Sequence, residues 1–113
     1  MAGTGGDYEA LVRLFKAMGH PTRLGLLKRI SVGTFCVSEL HRHLDQSQSS
    51  TSQHLAILRD RGLVVPDRRG NMTCYSLADE RLVELLALAE KVVGPEPRDA
   101  VPESLEASEV LAL

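Results

Sequence analysis

The chain has 113 residues, 43% apolar and 25% charged, with a formal net charge of −2 at pH 7. That length suits one domain with one modest core, and no apolar run approaches membrane-spanning length. Two cysteines, Cys36 and Cys74, make no disulfide framework and read as thiols in a reducing compartment.

Residues 1–6 read as a flexible arm; they lack the basic and apolar regions of a secretory signal, so the expected location is cytoplasmic. Tyr8, Leu11, Val12, Phe15 and Met18 then follow the 3.6-residue period and predict a first helix ending at Gly19. Pro21 suits the first turn of a second helix, with Leu24, Leu27 and Ile30 on one face and Gly33 beyond its end. Thr34-Phe35 is a short extended piece. Cys36-Val-Ser-Glu39 has capping-box spacing, with Cys in the place of Ser or Thr, and opens a third helix running to Leu44. Asp45-Gln46-Ser47 is a turn, and Ser47 is the expected N-cap of a fourth helix. Leu63–Pro66 and Met72–Leu77 read as two strands joined at Arg69-Gly70-Asn71, with Pro66 at a strand end or edge. A fifth helix is expected from about Asp79 to Val93, ended by Gly94-Pro-Glu-Pro97. Residues 95–113 carry five acids against one base and read as an acidic tail, disordered or a weak amphipathic turn. The expected fold is thus mainly α, five helices with a small β-hairpin, in one domain over residues 7–94.

The fifth helix carries apolar side chains over more than the ~100° stripe needed to pack on its own domain. The excess predicts a second apolar contact, most simply another subunit. Leu11, Phe15, Leu82, Leu85, Leu86, Ala89 and Val93 are the expected dimer contacts.

The stretch Ser47-Gln-Ser-Ser-Thr-Ser-Gln-His-Leu-Ala-Ile-Leu58 carries the strongest functional signal. Thr51, His54/Leu55 and Leu58 recur at helical spacing and should face a core, with His54 half-buried. Gln48, Ser49, Ser52 and Gln53 share the opposite face, where short amides and hydroxyls can reach base edges and phosphates in a DNA major groove. Ser47 and Asn71 join them as expected DNA contacts. Arg59, Arg61, Arg68 and Arg69 supply a basic patch within eleven residues, and phosphate binding needs such a local patch rather than a basic total. The outline is a winged helix-turn-helix.

Leu14-Phe-Lys-Ala-Met-Gly-His-Pro-Thr-Arg-Leu24 resembles the opening of ArsR/SmtB-type bacterial repressors. So do Cys36-Val-Ser-Glu-Leu40, Ser47–Leu58, Arg61-Gly-Leu-Val64 and Arg69-Gly-Asn-Met-Thr-Cys-Tyr-Ser-Leu77; the match spans roughly residues 8–93. The resemblance implies a homodimer built through the first and last helices, binding double-stranded DNA at a two-fold operator and releasing it when a metal ion or thiol modification reaches a sensing site. Both metal sites common in that family are incomplete here. Cys36 and Glu39 fit one form of the third-helix site, yet residues 1–10 hold no Cys or His, and no His lies beyond residue 54. A sensing set of Cys36 and Glu39 with His41 or His43 would offer mixed ligands suited to a divalent transition metal such as nickel, cobalt or zinc. The alternative is a thiol-responsive regulator using Cys36, whose thiolate a helix N-terminus would favour. If the extended piece at Thr34–Cys36 pairs with the second hairpin strand, Cys36 and Cys74 become neighbours. Control by a protein partner also stays open, as does a winged helix that binds protein and no DNA. No Gly-rich phosphate loop, paired carboxylates or nucleophile motif supports an enzyme.

Overall fold

The computed structural model, which describes residues 4–94, has five helices and a three-stranded sheet: α1 (Thr4–Met18), α2 (Pro21–Ile30), β1 (Phe35–Cys36), α3 (Val37–His43), α4 (Gln48–Asp60), β2 (Val64–Arg69), β3 (Met72–Leu77) and α5 (Arg81–Val93). The expected acidic tail lies outside the described residues. Helix α1 begins at Thr4 and so takes in residues 4–6, which the sequence pattern assigns to an arm; Asp7 in its first turn complements the helix dipole.

Side chains from α2, α3 and α4 meet in the centre. Leu26, Leu27, Leu40, Leu55 and Leu58 are fully buried, each contributing roughly 1.5–3 kcal/mol of transfer free energy. Ala17 and Met18 of α1, Leu63, Val64 and Tyr75 of the sheet region, and Leu82 and Leu86 of α5 close the cluster. Helix α5 starts at Arg81, two residues later than expected, because Asp79 turns back on it. The Asp79 carboxylate accepts from the Arg81 backbone N at 2.9 Å and from its Nη2 at 2.7 Å. That guanidinium pulls the Asp79 carboxyl down to about 2.

The sheet is antiparallel in the order β1-β3-β2. Strand β2 runs to Arg69 rather than stopping at Pro66. Pro66 faces Tyr75 on an edge strand, where its missing N–H costs no ladder bond on the open side. Arg69 pairs with Met72, so the hairpin loop is only Gly70-Asn71. Gly70 has φ +67°, the left-handed value that a two-residue II′ turn requires at its first position. Gly62 does the corresponding work at the end of α4. Its φ is +73°, and Leu63 N donates to Leu58 O at 2.9 Å. That closing bond reverses the chain from α4 into β2.

Strand β1 does pair with β3, and the register puts Cys36 opposite Cys74. The two are joined as a disulfide, and the described residues hold no free cysteine. This corrects the reading of both as thiols. Composition suggested a compartment, whereas cross-strand register fixed the distance between the two side chains.

Candidate nucleic-acid interface

Helix α4 presents two unlike faces. Thr51, Leu55 and Leu58 are each fully buried. Gln48, Ser49, Ser52 and Gln53 are all exposed on the other side. Ser47 caps the helix as expected, its Oγ accepting from Ser50 N at 2.9 Å. The turn entering α4 is held from both directions. Gln46 N donates to His41 O at 3.0 Å, and Ser50 Oγ donates to Gln46 Oε1 at 3.2 Å. Asp45 takes φ +53° there, a conformation Asp tolerates better than most residues. The thirteen-residue helix, about 20 Å long at 1.5 Å per residue, is therefore fixed at its N-terminal end, with its polar side chains outward.

One positioning residue was not legible in the sequence. Arg23 of α2 donates from Nε to Ala17 O at 2.7 Å and from Nη2 to Lys16 O at 3.3 Å, and its Nη1 lies 3.2 Å from His54 Nδ1. It thus caps the C-terminal end of α1 and ties that end to α4. Arg can only donate, so His54 Nδ1 accepts and its proton sits on Nε2. Burial, His20 and Arg23, in that order, hold His54 below the ordinary histidine range. His20 stacks on it with ring centroids 4.6 Å apart, and His20 Nδ1 accepts from Thr22 N at 3.1 Å. A histidine bound to metal through Nε2 carries its proton on Nδ1, which would break either acceptor bond. These two rings are committed to structure. Residue 54 was correctly expected to be half-buried; its partner 31 positions away left no local signal.

The hairpin forms the second half of the surface. Arg68, Arg69, Gly70 and Asn71 are exposed. Arg69 Nε pairs with Asp67 Oδ2 at 3.0 Å, and Arg59 Nη2 with Asp60 Oδ1 at 3.1 Å. Both are exposed pairs of the kind worth about 0–1 kcal/mol, so a phosphate can compete for either arginine. Arg68 alternates to the face opposite Arg69. Between hairpin and helix lies a cleft of about 240 Å³, lined by Gln48 and Ser52 of α4, by Asn71 and Met72 of the hairpin, and by Cys36. The structure therefore brings the expected reading helix and the expected hairpin contact to one surface. Arg59 lies at the far end of α4.

The proposed metal ligands are not brought together. Cys36 is in the disulfide, and Glu39 Oε1 accepts from Cys36 N at 3.0 Å. His41 Nδ1 lies 3.2 Å from Gln46 O, and His43 meets the Phe35 ring edge-on. Residues i and i+2 diverge by about 200° on a helix, so the two histidines point apart. Among the described residues no three His, Cys, Asp or Glu side chains are grouped to hold a metal ion.

Of the expected dimer contacts, Leu82 and Leu86 are each 7% exposed and belong to the chain's own core, with Leu85 packed against it. The uncovered apolar surface lies one face further round: Tyr8, Leu11 and Phe15 on α1, and Val83, Leu88, Val92 and Val93 on α5, beside exposed Ala89. Leu14 of α1 and Leu82 and Leu85 of α5 line one cavity, so the two helices are neighbours. No helix is long and apolar enough to cross a membrane among the described residues.

Comparison with known proteins decides the family. The model for "Bacterial regulatory protein, arsR family" matches residues 20–65, from the turn before α2 into β2. An uncharacterized HTH-type transcriptional regulator of Methanocaldococcus jannaschii is 35% identical over 86 residues, covering 75% of this chain and 97% of its own. The chain belongs to the ArsR family. This ArsR-family protein is accordingly a DNA-binding transcriptional regulator with a winged helix-turn-helix fold. Its structure is similar to reduced HlyU from Vibrio cholerae, at 33% identity and a TM-score of 0.70 over 79% of this chain and 97% of that one. It is also similar to a homodimeric winged helix-turn-helix DNA-binding domain from Mycobacterium bovis, at 27% identity and a TM-score of 0.75 over 82% and 90% of the two chains.

Proposed function

We propose that this regulator binds a two-fold operator as a homodimer in the cytoplasm, with α4 in the major groove and the β2–β3 hairpin as the wing along the backbone. Its resemblance to the family's repressors supports repression, in which the occupied promoter is silenced. The observation that carries the reading is the division of α4, with Thr51, Leu55 and Leu58 fully buried and four short polar side chains facing out. The exposed apolar side chains of α1 and α5 support the dimer, as does the homodimeric relative. Two-fold symmetry would place the reading helices on half-sites about 34–36 Å apart.

A duplex selected by the protein from a random pool tests both parts. Gln53→Ala should cost roughly 1–3 kcal/mol of discrimination if Gln53 reads a base edge. Arg68→Ala should weaken all sequences alike and flatten the salt dependence. Phe15→Glu should give a monomer by sedimentation and lose two-fold binding. A wing variant that altered base preference while Gln53→Ala did not would reverse the assignment of roles.

Of the metal, thiol and protein-partner signals left open by the sequence, the thiol signal is favoured by an observation, which widens it from Cys36 to a pair: Cys36 and Cys74 form a bond linking the start of α3 to the wing. Opening that bond leaves the start of α3 tied to the wing by the β1–β3 backbone pairing alone and should change DNA affinity. For nickel, cobalt or zinc, the residues Cys36, Glu39, His41 and His43 do not fit as a ligand set, with Cys36 in the disulfide and Glu39 bonded to the Cys36 backbone N.

A further inference from the structure

Within the thiol-responsive reading, on which this inference rests, the two sulfurs are not equivalent. Cys74 is fully buried on the central strand. Cys36 is half-buried and lines the cleft between α4 and the wing, where Cys74 does not. A nucleophile reaches a disulfide in line with the S–S bond, and access decides which sulfur is attacked. The cleft borders Cys36 and not Cys74, which favours attack at Cys36 Sγ. The cleft, at about 240 Å³, lies below the ~300–1,000 Å³ of ordinary ligand sites, which limits the visitor to a small molecule. Among its other lining residues are Gln48, Ser52 and Asn71, which are exposed and assigned here to DNA.

We propose that Cys36 is a modification site for a low-molecular-weight thiol, and that the resulting mixed disulfide fills the cleft and blocks DNA. The attacking thiolate forms a bond to Cys36 Sγ; the Cys36–Cys74 bond breaks, and Cys74 leaves with the electron pair and takes up a proton. One disulfide is exchanged for another, so no oxidant or reductant is consumed. The buried Cys74 thiol beside the adduct can reverse the step by attacking Cys36 Sγ and expelling the small thiol, which makes the block self-limiting.

The test uses free cysteine as the thiol. The disulfide form of the full chain is exposed to a small excess of cysteine, quenched in acid and mapped by peptide mass. The adduct is expected on Cys36, with Cys74 recovered as a thiol; an adduct mainly on Cys74 overturns the proposal. Next, Cys74→Ala is charged on Cys36 with cystine, which forms the same mixed disulfide without a resolving thiol. Its affinity for the selected duplex should fall at least tenfold against the uncharged variant, and binding within twofold overturns the proposal. Cys74→Ser serves if the alanine variant does not fold, and the mapping arm needs neither. Failure of the underlying reading shows separately: fully reduced and disulfide-bonded parent, both without adduct, would bind the duplex equally.

Discussion

Arg23 should be worth more than its half-buried position suggests, because three helices meet on it. Arg23→Met keeps the aliphatic stem and removes the guanidinium. The hydrogen bond to Ala17 O is short, 2.7 Å, and a charged bond of that kind contributes about 1.5 kcal/mol at the low end of the range suited to a partly wet site. The bonds to Lys16 O and His54 Nδ1, at 3.3 and 3.2 Å, contribute about 0.5 kcal/mol each on the same scale. The expected loss of stability is about 2.5 kcal/mol, a substantial part of a total of roughly 5–15 kcal/mol. In urea the midpoint should fall by about 1–2 M with an unchanged slope. His54→Ala completes a double-mutant cycle, in which the Arg23–His54 coupling should be about 0.5–1 kcal/mol. A loss below about 0.5 kcal/mol for Arg23→Met, the size of one weak hydrogen bond, would refute the reasoning. Strict additivity in the cycle would remove the tie to α4 while leaving the cap on α1.

Three further outcomes are expected. Thr51 Oγ1 is buried with no hydrogen-bond partner, so Thr51→Val should stabilise the fold by about 1 kcal/mol, read as a rise in thermal midpoint of about 4–8 °C for a domain of this size; a fall would mean the hydroxyl is bonded after all. His54 has its pKa lowered on folding, so the unfolded chain takes up the proton first. Stability is therefore full above about pH 6.5 and is lost as pH falls through that value toward the lower folded one; thermal melts from about pH 7.5 to 5, a range spanning the ordinary histidine value, should show a shallower decline in His54→Gln, whose amide oxygen accepts from Arg23 at any pH. Asp67→Ala releases Arg69 from its ion pair and removes a negative charge from the wing, so duplex binding should tighten severalfold at low salt and converge with the parent at high salt.

What could be read in the sequence was what local chemistry determines. Ser47 as a cap, Thr51, Leu55 and Leu58 as the buried stripe, and Pro66 on an edge each follow from one residue type at one position, and the structure agrees with each. Boundaries were less legible. The hairpin shrank to Gly70-Asn71 because pairing with β3 carries Arg69 into the strand, a tertiary effect. The apolar stripe of α5 was seen to be too wide, but its division was not. Leu82 and Leu86 go to the core, while Leu88, Val92 and Val93 stay outside, and only the position of the neighbouring core tells them apart.

The remaining gaps share one cause: the decisive partner is distant in sequence. Arg23 meets His54 across 31 positions, and Cys36 meets Cys74 across 38. The cysteines were partly legible because β pairing is periodic. Once β1 is granted a place beside β3, register alone puts Cys36 opposite Cys74, and a one-residue slip would have turned one sulfur to the other face. No comparable periodicity links α2 to α4, so the role of Arg23 waits for the fold. The same sheet gives the cysteine pair its position relative to function. It ties the start of α3 to the strand that carries the wing, and it leaves Cys36 against the cleft shared by Gln48, Ser52 and Asn71. A chemical change at that bond therefore occurs where α4 and the wing would together meet a duplex.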